Sequence, residues 1–260
     1  MTNSVPPNAP IVHAPHLPLT DYYAEESDRR SFLGQIFDRS AADYDRIERL
    51  LALGSGPWYR GQALARAQLQ VGMRVIDVGV GTGMVARQAA RLAGDPTLVV
   101  GIDPSPGMLA SAKVPDGVIL REGRAEQIPY PDNSFDFLSM GYALRHITDL
   151  ETAFREFYRV LKPGGRICLL EITKPQGRVG RLLLRGYMRG VVPTLARLIG
   201  GKPETVTLWR YYWDTIDACA SPAQVIATLE AAGFRESRRH VETRMLSILS
   251  EFQAVKPAQI

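Results

Sequence analysis

The run Val75-Ile76-Asp77-Val78-Gly79-Val80-Gly81-Thr82-Gly83 constrains this chain more than any other feature. Four strand-forming positions lead into a loop in which every second residue is glycine, and the helical stretch 84–92 follows at once. Glycine at such a turn lets a ligand approach the backbone and leaves amide groups free to face it at a helix N-terminus. A strand, a glycine loop and a helix in that order form the first unit of a parallel sheet with helical crossovers. The second unit supplies an acid, because Val99-Val100-Gly101-Ile102-Asp103 ends 20 residues past Gly83, where a carboxylate can accept both hydroxyls of an adenosine ribose. The alternative reading of Asp103 is a cap for the helix that begins near Ser105. Gly81-Thr82-Gly83-Met84-Val85-Ala86 also fits the G-x-G-x-x-A dinucleotide pattern, so the loop alone leaves nicotinamide and S-adenosylmethionine both open.

The rest of the chain agrees with an α/β fold. Strand-like runs at 74–78, 97–102, 118–120, 135–140 and 166–172 alternate with helical runs at 84–92, 106–112 and 150–161, the last closed by Lys162-Pro163-Gly164-Gly165. Ser221-Pro222 opens a helix that reaches Ala232, and two further strand-like runs follow at 234–242 and 245–252. Upstream, residues 1–30 are expected to be an extended or disordered arm, with five prolines in the first 20 residues. Residues 31–70 are expected to form N-terminal capping helices, the first of them broken near 38–40. Residues 71–255 are expected to form the main α/β domain, with a basic amphipathic insertion around 172–215. His13, His16 and His240 have no partner pattern and are expected at the surface. Cys168 and Cys219 are too few for a disulfide framework, no metal-ligand spacing is present, and no run approaches a membrane span. A cytoplasmic chain is expected.

What separates the two cofactor classes lies downstream. Ile128-Pro129-Tyr130-Pro131-Asp132-Asn133-Ser134-Phe135-Asp136 precedes one strand and Tyr158-Arg159-Val160-Leu161-Lys162-Pro163-Gly164-Gly165 another. In this order the motifs resemble those of class I S-adenosylmethionine-dependent methyltransferases. Phe37-Asp38-Arg39-Ser40-Ala41-Ala42-Asp43-Tyr44-Asp45, Gly107-Met108-Leu109 and Ala143-Leu144-Arg145-His146-Ile147-Thr148-Asp149-Leu150 narrow the likeness. Over about residues 32–200 the chain is similar to the UbiE/MenG family of ubiquinone and menaquinone C-methyltransferases. The resemblance implies a Rossmann-like α/β fold with a mostly parallel seven-stranded sheet flanked by helices.

It also implies that Gly79, Gly81 and Thr82 line the loop that holds S-adenosylmethionine, that Asp103 holds its ribose, and that Gly141 borders the same pocket. Tyr44 matches a tyrosine that covers the cofactor, or else is a packing aromatic. Two positions depart from the family. Its Gly-Asp-Ala run reads Gly123-Arg124-Ala125 here, and arginine cannot accept from the adenine amino group. That leaves the Ala125 amide as the contact, with Arg124 stacking on the ring or turned to solvent. Its Ala-Leu-Arg-Asn reads Ala143-Leu144-Arg145-His146. Carbon methylation needs an electron-rich ring, and a histidine suits removal of a phenolic proton near neutrality. His146 is therefore expected to act as the base or to orient a water, with Arg145 stabilising the phenolate; the alternative is that His146 only starts a loop beside the sheet and faces solvent.

Seven basic residues and no acid lie between Ile172 and Pro203: Lys174, Arg178, Arg181, Arg185, Arg189, Arg197 and Lys202. They outnumber the chain's whole net charge of +4, so the remainder is slightly acidic. On a helix, Arg178, Arg181, Arg185 and Arg189 share one face, and Leu183, Leu184, Tyr187, Met188, Val191 and Leu195 the other. Such a segment (residues 174–202) either lies on an anionic membrane, where a prenylated quinol dissolves, or packs on the sheet. The aromatics Trp209, Tyr211, Tyr212 and Trp213 suit a planar-ring pocket or a membrane boundary, and core positions are expected for two of them. The expected reaction is methyl transfer to carbon of a hydrophobic quinol-like ring. The alternatives are O- or N-methylation of another aromatic or lipid-like molecule, nicotinamide-dependent oxidoreduction, and a catalytically silent partner of a quinone-biosynthesis complex. No nucleic-acid module accompanies the basic residues, and a homodimer is left open.

Overall fold

A computed structural model describes residues 13–51, 54–175, 177–198, 203–243 and 248–258. Seven strands form one sheet in the order β3-β2-β1-β4-β5-β7-β6. They are β1 (Val75–Val78), β2 (Val99–Asp103), β3 (Ile119–Glu122), β4 (Phe135–Gly141), β5 (Leu161–Ile172), β6 (Arg235–Glu242) and β7 (Leu249–Val255). The first five run parallel, and β7 is antiparallel to both β5 and β6. Every residue of β1 and β2 is buried, as continuous apolar strands covered on both faces require. The Lys162–Gly165 turn signal lies inside β5 rather than before it: Phe135 pairs with Leu161 and Phe137 with Arg166, so the glycines form a bulge.

Helices α1 (Glu26–Leu51), α2 (Gly56–Arg66), α3 (Met84–Ala93), α4 (Pro106–Ala110), α5 (Leu150–Val160), α6 (Arg178–Gly186), α7 (Val192–Leu198), α8 (Pro203–Ala218) and α9 (Pro222–Ala231) complete the chain, with a π turn at Tyr187–Val191 joining α6 to α7. One apolar cluster packs α5 and α9 on one sheet face, and a second packs α2 and α3 on the other. A third builds a cover from α1, α6 and α8. All four aromatics Trp209, Tyr211, Tyr212 and Trp213 are buried in it, two more than expected.

Two expectations at the N-terminus need correction. Helix α1 runs unbroken through 38–40, because the Ser40 hydroxyl bonds the Ile36 carbonyl one turn back and the Asp38 carboxylate turns outward to α4. His16 is buried at 5% exposure, not at the surface. The arm lies along the body from residue 13 onward: the His13 carbonyl accepts from Leu150 N and the Pro15 carbonyl from Ala220 N. The expectation for residues 1–12 lies outside the described residues.

Candidate active site

The strand order reverses between β1 and β4, and a cavity of about 740 Å³ opens beyond their carboxyl ends, beneath α1 and α8. Its floor is the glycine loop. Gly79, Gly81 and Gly83 all have positive φ (67°, 52° and 85°), a conformation that side chains resist. A Cβ on Gly79 would lie 2.7 Å from Ala143 Cβ, and one on Gly141 2.5 Å from a Val85 methyl, so these two glycines let the loops after β1 and β4 close on each other.

Asp103 accepts from Gly81 N at 2.8 Å and from Ser105 N at 2.9 Å, tying the two loops together. The Ser105 side chain, not Asp103, caps α4. Burial pushes the Asp103 carboxyl up to about 6, against these two donors. Beneath the loop, Asp77 is opposite Ser139 in the β1/β4 register, and the Ser139 hydroxyl donates to it at 2.7 Å. The second Asp77 oxygen has no hydrogen-bond partner among the described residues, and burial pushes this carboxyl up to about 7.

On the wall after β3, Gly123, Arg124, Ala125, Glu126 and Ile128 face the cavity. Arg124 pairs with Glu126 at 3.4 Å. Glu126 also accepts from Thr148 N at 2.9 Å, and is an acid of this wall that motif matching missed because it stands two residues beyond the family position. Helix α1 is latched over the loops by acids. Asp38 accepts from Ser105 Oγ and Gly107 N, and Asp45 accepts from the Thr82 hydroxyl. Gly107 permits this approach, since a Cβ there would be 2.7 Å from the Asp38 Cα. The Tyr44 side chain lies outside the described residues.

The turn Leu144–His146 sends two neighbouring side chains in different directions. His146 enters the cavity, with its ring among Tyr211 at 5.7 Å, Tyr212 at 5.6 Å and Phe37 at 5.2 Å. Neither ring nitrogen has a hydrogen-bond partner among the described residues. Burial, then the charges of Arg145, Arg29 and His16, hold its pKa well below the usual value, so the ring is neutral at physiological pH.

Arg145 does not line the cavity, which corrects its expected contact with a phenolate. It is 1% exposed and ion-paired with the equally buried Glu171, its Nη1 donates to the Tyr142 carbonyl at 2.9 Å, and its guanidinium lies 4.5 Å from the centre of the Tyr212 ring. A buried carboxylate on β5 demands such a partner, and the arginine is drawn behind the aromatic wall. Arg29, unnoticed in the sequence, donates from Nη2 to the carbonyls of Arg145 at 3.0 Å and Ile147 at 3.2 Å, so it brackets His146 from both sides. Its own neighbour is His16 Nε2 at 3.2 Å. No local pattern announces an arginine that will be buried by a distant turn.

Comparison with known proteins bears on which cofactor this architecture takes. Residues 24–249 match the model of the ubiE/COQ5 methyltransferase family. A demethylmenaquinone methyltransferase of Symbiobacterium thermophilum is 30% identical over 81% of this chain and 87% of its own. One from Chlorobaculum parvum is 33% identical over 86% and 93% respectively. Among solved structures, an S-adenosylmethionine-dependent methyltransferase of Thermotoga maritima superposes with a TM-score of 0.60 at 22% identity, covering 86% of this chain and 99% of that one. The likeness extends well past residue 200, and the nicotinamide alternative is not favoured.

Proposed function

The chain belongs to the ubiE/COQ5 methyltransferase family and is an S-adenosylmethionine-dependent enzyme, and from that premise we propose that it methylates a ring carbon of a hydrophobic quinol. The observation that carries this reading is His146: a neutral imidazole with neither nitrogen hydrogen-bonded among the described residues, caged by aromatic rings, in the cavity whose floor is the glycine loop. The residues fit the cofactor. Gly79 and Gly81 clear a path for it along the loop, Gly141 and Thr82 border the same space, Asp103 takes its ribose hydroxyls and the Ala125 amide its adenine, with Arg124 held aside by Glu126. S-adenosylmethionine supplies an electrophilic methyl group when bound.

His146 accepts the proton of a ring hydroxyl, which raises electron density on the adjacent carbon as that carbon takes the methyl and the neutral thioether is released; the ring carbon's own hydrogen then passes as a proton to the ring oxygen, and the proton on His146 is lost to solvent. General-base assistance is typically worth ~10²- to 10⁴-fold, whereas holding two reactants in line supplies ~7 to 11 kcal/mol, so the cage does more than the base. Arg145 and Arg29 act through the turn that carries His146 and not on the acceptor.

The acceptor's solvent is addressed by α6 and the π turn. Leu184, Met188 and Val192 turn inward, while Val179, Leu182 and Leu183 are 72%, 69% and 64% exposed, with Tyr187, Val191 and Leu195 beside them and exposed Arg178, Arg181 and Arg185 nearby. An apolar ridge flanked by cations suits the headgroup boundary of an anionic bilayer. None of the described helices is long and apolar enough to cross a membrane, and the contact proposed here is made by this ridge alone. The charges of Arg197 and Lys202 belong to side chains outside the described residues. A second copy of the chain is the competing occupant of this ridge.

Incubating the purified chain with methyl-labelled S-adenosylmethionine and a prenylated naphthohydroquinone, then locating the label by mass spectrometry, tests the reaction. Label on a ring carbon is expected. Label on oxygen, or none with any lipid-extract acceptor, would overturn it.

A further inference from the structure

Five glycines border the cavity, and four of them are explained by the protein itself. Gly79 and Gly81 have positive φ, a Cβ on Gly123 would press on Pro129 at 3.1 Å, and one on Gly141 would meet Val85. The fifth, Gly34, is different. It stands in the interior of α1, a 26-residue helix, its backbone is not in the left-handed region, and a Cβ built there meets nothing within 4 Å. Glycine in a helix interior is roughly 0.8 to 1.0 kcal/mol less favourable than alanine, so this position gives up helix stability with no packing or backbone return among the described residues.

Its place along the wall indicates what fills the gap. Helix α1 contributes Arg30, Leu33, Gly34 and Phe37 to the cavity. Phe37 touches the His146 cage, and Arg30 is exposed at the surface. From Phe37 to Arg30 the helix rises ~10 Å, and Gly34 lies midway, beside Leu33. The hydrogen bonds from α1 to the cofactor loops come from Asp38 and Asp45, both C-terminal to Phe37, whereas Gly34 and Arg30 lie N-terminal to it, so a molecule leaving past Gly34 is the methyl acceptor.

We infer that Gly34 is a specificity-determining notch: the apolar substituent of the quinol leaves the cavity across this residue, while the ring stays in the His146 cage. The inference rests on the quinol reading above and deepens it. A side chain at position 34 would narrow the exit without touching the groups that hold the ring or the cofactor.

The test compares two acceptors, a naphthohydroquinone without a side chain and the same ring bearing a four-isoprene chain, with wild type, Gly34→Ala and Gly34→Leu. The ratio of kcat/KM for the chain-bearing acceptor to that for the bare ring is expected to fall in the order Gly, Ala, Leu, by at least tenfold for leucine. Both variants should melt no lower than wild type, since each improves helix propensity. Affinity for S-adenosylhomocysteine reports that the cavity is otherwise intact. Equal losses on both acceptors, or no loss on either, would overturn the notch and leave the quinol reading standing. A wild-type chain that binds S-adenosylhomocysteine yet methylates neither acceptor overturns the quinol reading, and the notch with it.

Discussion

Replacing Asp77 with asparagine should stabilise this protein, and should do so more at pH 8 than at pH 5. Asp77 is 1% exposed, receives one side-chain hydrogen bond, from Ser139, and has one oxygen without a hydrogen-bond partner among the described residues. Burial dominates and sets the carboxyl at about 7 against an ordinary 3.8; the Ser139 hydroxyl, the Ala86 amide and the Arg60 charge act the other way, and the Asp103 charge adds to the rise. Between those values the folded chain holds a proton that the unfolded chain has lost, so stability falls as pH rises. At about 1.4 kcal/mol per pKa unit, the cost is about 2 kcal/mol at pH 5 and about 4 kcal/mol at pH 8. Asparagine keeps the acceptor for Ser139 and carries no charge. Any penalty for its amide nitrogen is independent of pH and cancels between the two conditions. The gain of Asp77→Asn over wild type, measured by urea unfolding, should therefore be about 2 kcal/mol larger at pH 8 than at pH 5. A difference that does not change with pH would refute the burial argument.

Asp103 titrates in the opposite functional sense, since its ionised form is the one that accepts ribose hydroxyls. Affinity for S-adenosylhomocysteine by calorimetry should be about tenfold weaker at pH 5 than at pH 8, following a carboxyl at about 6, and Asp103→Asn should lose this dependence. His146→Gln should lower kcat by ~10²- to 10⁴-fold with little change in S-adenosylhomocysteine affinity, and the acid limb of wild-type kcat/KM should lie below pH 6.5, because a depressed pKa keeps the base neutral until lower pH. Unchanged turnover would remove His146 from the chemistry. Leu183→Asp with Val191→Asp should abolish co-sedimentation with anionic vesicles at low salt. If the wild-type chain fails to sediment and instead dimerises in a concentration-dependent way that these changes abolish, the ridge is a subunit contact.

The local signals in this chain were those that act within a few residues. Buried parallel strands read as continuous apolar runs. The positive-φ glycines read as a loop, and Ser221-Pro222 read as a helix start, which the structure completes with a reciprocal capping box to Gln224. These features depend on backbone sterics and neighbouring hydrogen bonds, so sequence is sufficient for them. By itself it determined the α/β alternation, the loop and the acid 20 residues beyond it, and the presence of a basic, apolar-faced segment.

Which way a side chain points was decided elsewhere. Arg145 and His146 are adjacent in sequence, and only the buried Glu171 on β5 explains why the arginine is withdrawn and the histidine presented. Leu183 and Leu184 are equally apolar, but the packing of the cover buries one and exposes the other. His16 and Arg29 look like surface residues until the arm and α1 close over the turn at 144–146. A lone acid in a strand, Asp77, becomes a strained titrating group once the sheet is covered on both faces. Burial and partner choice depend on elements more than a hundred residues apart in the chain, and only the tertiary structure brings those together.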